Sequence, residues 1–231
     1  MRQWAALALL LLAGAVAGCR DANVARNNNN TTVLGGNGPH DASAPAWTDA
    51  QGRAIPPPPA PAQARPQLAR IGDDAAVAAW IAEDHVVASR WTRAAGWTPA
   101  EPLERIYGQS SEVEVVGNGQ GQAMAVWHHR VGNIHSLRFS RLEGQAWSLP
   151  DVVPGALPRP PVSGTTPGDT APRLQMDAQG AVLAQWPSGF QANERQVARY
   201  TPGTGWSSTA TEPVASAPSA SPPSPASSSA R

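Results

Sequence analysis

Three histidines, His128, His129 and His135, fall within one eight-residue stretch, HHRVGNIH. Along an extended strand neighbouring side chains point to opposite faces, so His128 and His129 diverge and only one can join His135 across a hairpin. Two imidazoles fall short of the three protein ligands of a catalytic zinc, although Glu112 or Glu114 just upstream would supply a third. His128 and His135 are therefore the metal candidates. The competing reading, polar decoration of a hairpin after a buried tryptophan, is the better one, and neither metal nor cofactor is expected.

Carboxylates cluster at Asp73-Asp74 and at Glu83-Asp84, the second pair beside His85. Glycoside hydrolysis needs two carboxyls at a set separation across a cleft, whereas charges in short turns are usually solvated. The chain has no G-x-S-x-G elbow, no H-E-x-x-H and no Gly-rich phosphate loop. All 17 basic residues are arginine. The absence of lysine excludes a Schiff-base lysine and the lysine of a Walker A loop. Seventeen acidic residues cancel the arginines, which leaves no broad basic field for nucleic acid. A non-catalytic protein is expected. The runner-up is a glycan hydrolase drawing on Glu83, Asp84, His85 or His128.

The elements that would position these groups are repeated. LARIGDDAAVAAW (68–80), VVGNGQGQAMAVW (115–127) and LQMDAQGAVLAQW (174–186) align over 13 positions without a gap. Each leads through a polar turn to a second run with a basic-aromatic pair, read as Arg90-Trp91, Arg138-Phe139 and Arg199-Tyr200. A Gly-containing turn then brings a second tryptophan, Trp97, Trp147 or Trp206. With first tryptophans at 80, 127 and 186, the period is near 50 residues, the mark of a repeat architecture. Extra length before the third unit sits in the surface loop PDVVPGALPRPPVSGTTPGDTAP. The Ala-rich runs are short, Gly-flanked and apolar on both faces, which predicts β-strands covered on two sides rather than helices. Because the basic-aromatic pair recurs in every unit, it is read as architecture, since a ligand site would be peculiar to one unit.

The repeat D-x-x-G-x-A-x-A-x-W resembles the blades of bacterial β-propeller-like repeat proteins, on Asp177, Gly180, Ala184 and Trp186 in the third unit. The resemblance implies an all-β fold of three Trp-ended antiparallel units, a partial propeller or stacked sheets, and is silent on ligand. Three units are fewer than the four to eight blades of closed propellers. A compact stack, a degenerate fourth blade or self-association through open sheet edges would account for the count. The turn Asp177-Ala-Gln-Gly180 departs from the sialidase Asp-box. With Tyr107 and Tyr200 the only tyrosines, a sialidase-like nucleophile is not expected.

The first residues, MRQWAALALLLLAGAVAGC, carry one charge, Arg2, ahead of an apolar run too short to span a bilayer comfortably and closed by small residues. Val16-Ala17-Gly18-Cys19 resembles the lipobox of bacterial lipoproteins. The resemblance implies cleavage before Cys19, acylation of its thiol (palmitate among the acyl chains), and a lipid anchor in the cell envelope. With Arg20 after the cysteine, it favours the outer membrane. As the single cysteine, Cys19 has no disulfide partner within the chain. The expected organisation is a signal peptide at 1–18, a disordered Asn/Pro-rich tether at 19–66 and a β-repeat domain at 67–210. Its units span about 67–103, 111–153 and 171–210, and a disordered Ala/Ser/Pro tail follows at 211–231. The expected partners are the membrane, through the lipid, and a protein or glycan, with no nucleic acid.

Overall fold

The computed structural model describes residues 31–32, 47–160, 170–189, 191 and 193–214. The leader and Cys19 lie outside them. Strand β1 (Thr31–Thr32) is followed by a hairpin, β2 (Trp47–Thr48) and β3 (Ala54–Ile55). Unit one comprises β4 (Gln67–Gly72), β5 (Ala75–Ala82), β6 (His85–Thr92), β7 (Gly96–Trp97) and β8 (Glu101–Pro102). Unit two comprises β9 (Gln109–Gly117), β10 (Ala123–Val131), β11 (Ile134–Glu143), β12 (Ala146–Trp147) and β13 (Asp151–Val152). Unit three comprises β14 (Arg173–Met176), β15 (Val182–Pro187), β16 (Glu194–Thr201), β17 (Gly205–Trp206) and β18 (Ala210–Pro213). The described residues contain no helix.

Every unit is one antiparallel sheet with the same wiring. Three strands pair in sequence, and two short strands share the free edge of the third: β7 and β8 on β6, β12 and β13 on β11, β17 and β18 on β16. No sheet closes on itself, and no strand of unit three pairs with unit one among the described residues.

The units stack through both faces of their middle strands, as the apolar pattern requires. Trp80, Trp127 and Trp186 are 1%, 0% and 1% exposed, each on the face toward the element before it in the chain. Trp127, Ala125 and Ala123 meet Val77, Ala79 and Val86 of unit one. Trp186, Ala184 and Val182 meet Met124, Val126 and Leu137 of unit two. Alanines keep the layers close: a side chain at Gly117 would collide with the Arg70 carbonyl of unit one. Each buried indole contributes about 3 kcal/mol of burial energy.

The tether expected over 19–66 does not hold for residues 47–66. Trp47 and Ile55 are buried against Leu68, Ala76 and Trp91. The Asp49 carboxylate bonds Arg53 and Arg93; burial alone would raise its pKa, but these bonds hold it down to about 2. The proline run is not a free stalk either: Pro58 is buried and the Pro56 carbonyl accepts the Trp97 indole N–H at 2.7 Å.

The turn in this hairpin is Asp49-Ala-Gln-Gly52, the same four residues as Asp177-Ala-Gln-Gly180. Asp49 Oδ1 caps the N–H groups of Gln51 and Arg53. Asp177 Oδ1 caps Gln179 and Ala181, and Asn118 Oδ1 caps Gln120 and Gln122. The hairpin is thus a fragment of a preceding unit, built on the same Asx turn. It covers the face of unit one that a fourth unit would cover. At the other end, unit three turns exposed Gln175 and Arg199 outward. A stack with one covered and one polar end needs no closure. Unit three also runs further than expected, because β18 carries residues 211–213, assigned above to the tail.

Candidate functional site

The chain crosses from unit one to unit two at 103–108, and Glu104 anchors the crossing. Its side chain is completely buried and accepts four donors: the backbone N–H of Val86 (3.2 Å) and Ile106 (2.8 Å), the Ser110 hydroxyl (2.8 Å) and His85 Nδ1 (3.2 Å). Burial alone would raise its pKa; these donors hold the carboxyl below its ordinary value. The network continues from Ser110 Oγ to His129 Nδ1 at 3.2 Å and from His129 Nε2 to the Tyr107 carbonyl at 3.1 Å. Burial holds the His129 pKa below the ordinary histidine value.

Ser110, His129 and Glu104 have the residue types of a nucleophilic triad, but the geometry is not one. The hydroxyl is 3% exposed and bonds the carboxylate directly, whereas a triad carboxylate orients the imidazole. The group works as a polar clamp between units. Its exposed end, His85, lines a 380 Å³ depression with Tyr107, Gln109 and Arg130. A carboxylate can only accept, so His85 Nδ1 carries the proton and Nε2 is left to the depression.

Of the other residues singled out for a hydrolase, Asp84 alone comes near, accepting from Gln109 Nε2 at 3.3 Å, and neither Glu83 nor His128 lines the depression. Glu83 and Asp84 form the exposed two-residue turn between β5 and β6, both with positive φ (49° and 65°), and His128 lies on the opposite face of unit two.

That opposite face meets unit three. A bulge in β9 sets Glu112 and Val113 opposite Trp127 and turns Glu112 toward Thr170, whose hydroxyl it accepts. Glu114 is buried in this seam. Burial pushes it up to about 7, with Arg173 as the only opposing charge. His128 is 2% exposed, and among the described residues neither ring nitrogen makes a hydrogen bond of ordinary geometry, although the Thr170 backbone lies near enough to favour its charged form slightly. Burial and neighbouring His135 push it down to about 4. The hairpin register places His128 and His135 on one face and His129 on the other. Among the described residues, no three His, Cys, Asp or Glu side chains converge as a metal would require.

The outer rim of the same seam is open. Phe139, Arg141, Leu149, Val152, Pro154, Tyr200 and Trp206 line a groove of 430 Å³. Phe139 and Tyr200 pack edge-on against Trp206, with ring centroids 5.3 and 5.5 Å away. The Arg141 guanidinium lies 4.5 Å from the Tyr200 ring centre and donates to its hydroxyl and to Glu143. Leu149 is 90% exposed.

The structure corrects the alignment of the basic-aromatic pair in unit two. The backbone N–H groups of Arg90, Arg141 and Arg199 bond the hydroxyls of Thr98, Ser148 and Ser207, the residues after the second tryptophans. The equivalent pair is therefore Arg141-Leu142, not Arg138-Phe139. The turn EGQA is one residue shorter than its counterparts TRAAG and TPGTG, and Leu142 stands where the other units carry an aromatic ring, so residue type pointed to Arg138-Phe139 instead. Phe139 is then the counterpart of Ala88 in unit one, an aromatic ring peculiar to unit two. Of the repeated tryptophans, Trp80, Trp127 and Trp186 are buried between layers, whereas Trp206 reaches the groove. Phe139, Arg141, Leu149 and Val152 were missed by sequence reasoning; the groove partly lies in the Pro-rich loop before unit three. No known protein-family model and no curated protein matches the chain.

Proposed function

We propose that this is a lipid-anchored cell-envelope protein whose β-repeat domain binds a protein segment and catalyses nothing. The observation that carries this reading is the groove between units two and three: three packed aromatic rings, a guanidinium, and the exposed apolar side chains of Leu149 and Val152. Exposed apolar surface ringed by polar groups marks interaction sites. A sugar platform would present open ring faces; Phe139 and Tyr200 are instead 8% and 7% exposed and engaged edge-on with a third ring, which favours a protein ligand over a glycan. The hydrolase reading is disfavoured because every donor around Glu104 is already committed to it.

A photo-crosslinker placed at Leu149, in the chain ended after Val214, should give a discrete protein adduct that the same probe at Ala94 does not. A glycan retained by the wild type and lost in Leu149→Asp would put a sugar in the groove instead. Hydrolysis of cell-wall glycan, abolished in His85→Ala, would overturn the non-catalytic reading. For the anchor, globomycin should cause the uncut precursor to accumulate; normal processing under the drug would remove Cys19 as the lipid site.

A further inference from the structure

The hairpin of β10 and β11 reaches beyond its neighbour in unit one. The Asp84 carbonyl, in the β5–β6 turn, accepts the Ser110 N–H at 2.7 Å, and Ser110 stands opposite His129. The unit-one turn therefore ends level with His129, and the strand runs on two residues, about 7 Å, to Val131. At this tip Val131 and Ile134 face each other across the turn, 36% and 73% exposed, where unit one carries Ala82 and His85. Tyr107, 86% exposed, is held beside them: its carbonyl bonds His129 Nε2, and a side chain at Gly108 would collide with the Arg130 carbonyl. We propose that the tip enters the surface of a bilayer of zwitterionic phospholipid, with one headgroup in the depression behind it. The contact shares no residue with the groove between units two and three and does not depend on Cys19.

The shape of the patch favours a bilayer. A stable protein interface takes about 800 Å² from each partner, more than three side chains on a convex tip offer, whereas a bilayer asks only for apolar groups that project. Tyrosine suits the membrane–water boundary, where its ring lies among apolar groups and its hydroxyl stays wet. The charges behind the tip decide the lipid. Gln109 accepts from the Arg130 guanidinium on its side-chain oxygen and gives its amide to Asp84 at 3.3 Å. Among the described residues neither Arg130 nor exposed Arg105 stands in an ion pair. An arginine can lay its stem along apolar surface and keep its guanidinium at the level of lipid phosphates. A purely anionic headgroup would also meet the exposed carboxylates of Glu83 and Asp84. A zwitterionic one matches both signs: its phosphate is bound by Arg130 and the Tyr107 hydroxyl, its ammonium by Asp84 and His85 Nε2.

The test uses the chain from residue 20 to 231, which keeps every described element and lacks Cys19, with a polarity-sensitive fluorophore on Ile134→Cys. It is titrated to millimolar lipid with vesicles of equal parts phosphatidylethanolamine and phosphatidylcholine. The fluorophore should brighten and shift to the blue, while the same label on Ala94→Cys, in the β6–β7 turn at the opposite end of the sheet, should not. In the labelled chain Val131→Asp should raise the half-saturating lipid concentration at least tenfold, and Tyr107→Ser and Arg130→Gln severalfold each. No spectral change at millimolar lipid overturns the proposal, and so does a change that survives both Val131→Asp and Tyr107→Ser. Tighter binding to vesicles of phosphatidylglycerol overturns the zwitterionic headgroup. A photo-crosslinker at Ile134 that captures a discrete protein, without any response to vesicles, makes the tip a protein contact instead. None of these results bears on the groove, whose crosslinking probe stands at Leu149.

Discussion

The two seams between the units are made of equivalent strands and solve the same packing problem differently. Between units one and two, Glu104 collects four donors, and Ser110 and His129 extend the network to a backbone carbonyl, while the Trp127 indole N–H has no acceptor among the described residues. At the rim, Arg90 reaches across to the Gly144 carbonyl and the Gln145 side chain. Between units two and three, Gln196 accepts from the Trp186 indole and the Leu157 N–H, and Asn118 reaches the Ala178 carbonyl, but Glu114 has Arg173 as its opposing charge and His128 makes no close side-chain bond among the described residues. Arg141 is held by the Tyr200 ring, and the rim stays open. A satisfied polar network rigidifies an interface, and an unsatisfied one lowers its stability. The difference is in the buried ionisable groups: the carboxylate of the first seam is satisfied, and the carboxylate and imidazole of the second are held near neutrality by burial.

The largest test of this contrast removes one tryptophan from each seam. Trp127→Ala should cost about 4 kcal/mol in urea unfolding, as expected for a buried aromatic. Trp206→Ala, at the half-buried rim, should cost about half as much. Equal losses would make the groove part of the core.

The same substitution at the two buried glutamates should have opposite signs. Glu114 has a folded pKa raised from 4.5 to about 7, so its favourable contribution is present below pH 4.5 and lost as pH rises through 7. Glu114→Gln should therefore stabilise by about 3 kcal/mol at pH 8 and by almost nothing at pH 4. Glu104→Gln should destabilise by about 2 kcal/mol at pH 8, because its amide turns a donor toward donors. Urea midpoints at the two pH values decide both.

His128 acts in the other direction. Its folded pKa is lowered from 6.5 to about 4, so stability is present above pH 6.5 and lost as pH falls through 4. Between pH 4.5 and 6.5 this loss offsets the gain from Glu114. His128→Phe should remove about 2 kcal/mol of the difference in stability between pH 8 and pH 5. A pH profile unchanged by the substitution would place the imidazole in water.

The smallest effects come from the rim arginines. Arg141→Ala should cost about 1 kcal/mol through its lost contact with Tyr200, and Arg90→Ala about 0.5 kcal/mol at an exposed bridge. A larger loss at Arg90 would show that the closed rim, rather than the clamp beneath it, holds the first seam.

Much of the fold was legible because its signals are local. Ala-rich runs with both faces apolar, closed by Trp80, Trp127 and Trp186, marked the middle strands, and Gly-containing turns marked their ends. The capping hairpin was legible too, since Asp49-Ala-Gln-Gly52 repeats Asp177-Ala-Gln-Gly180, but the prolines around it suggested a disordered tether. A proline run is extended whether free or docked, so only Trp97 distinguishes the two.

The sequence by itself determined the repeat and the antiparallel strands, because two-residue periodicity and turn chemistry act between near neighbours. Only the tertiary structure decided which polar groups are satisfied. The bulge at Glu112-Val113, the one-residue shorter turn after Leu142 and the stacking of units set which side chains meet across a seam. Glu104 and Glu114 are both glutamates on strand-rich segments of the same protein. The donors around the first, and their scarcity around the second, come from residues distant in the chain or from another unit, and no local pattern records them.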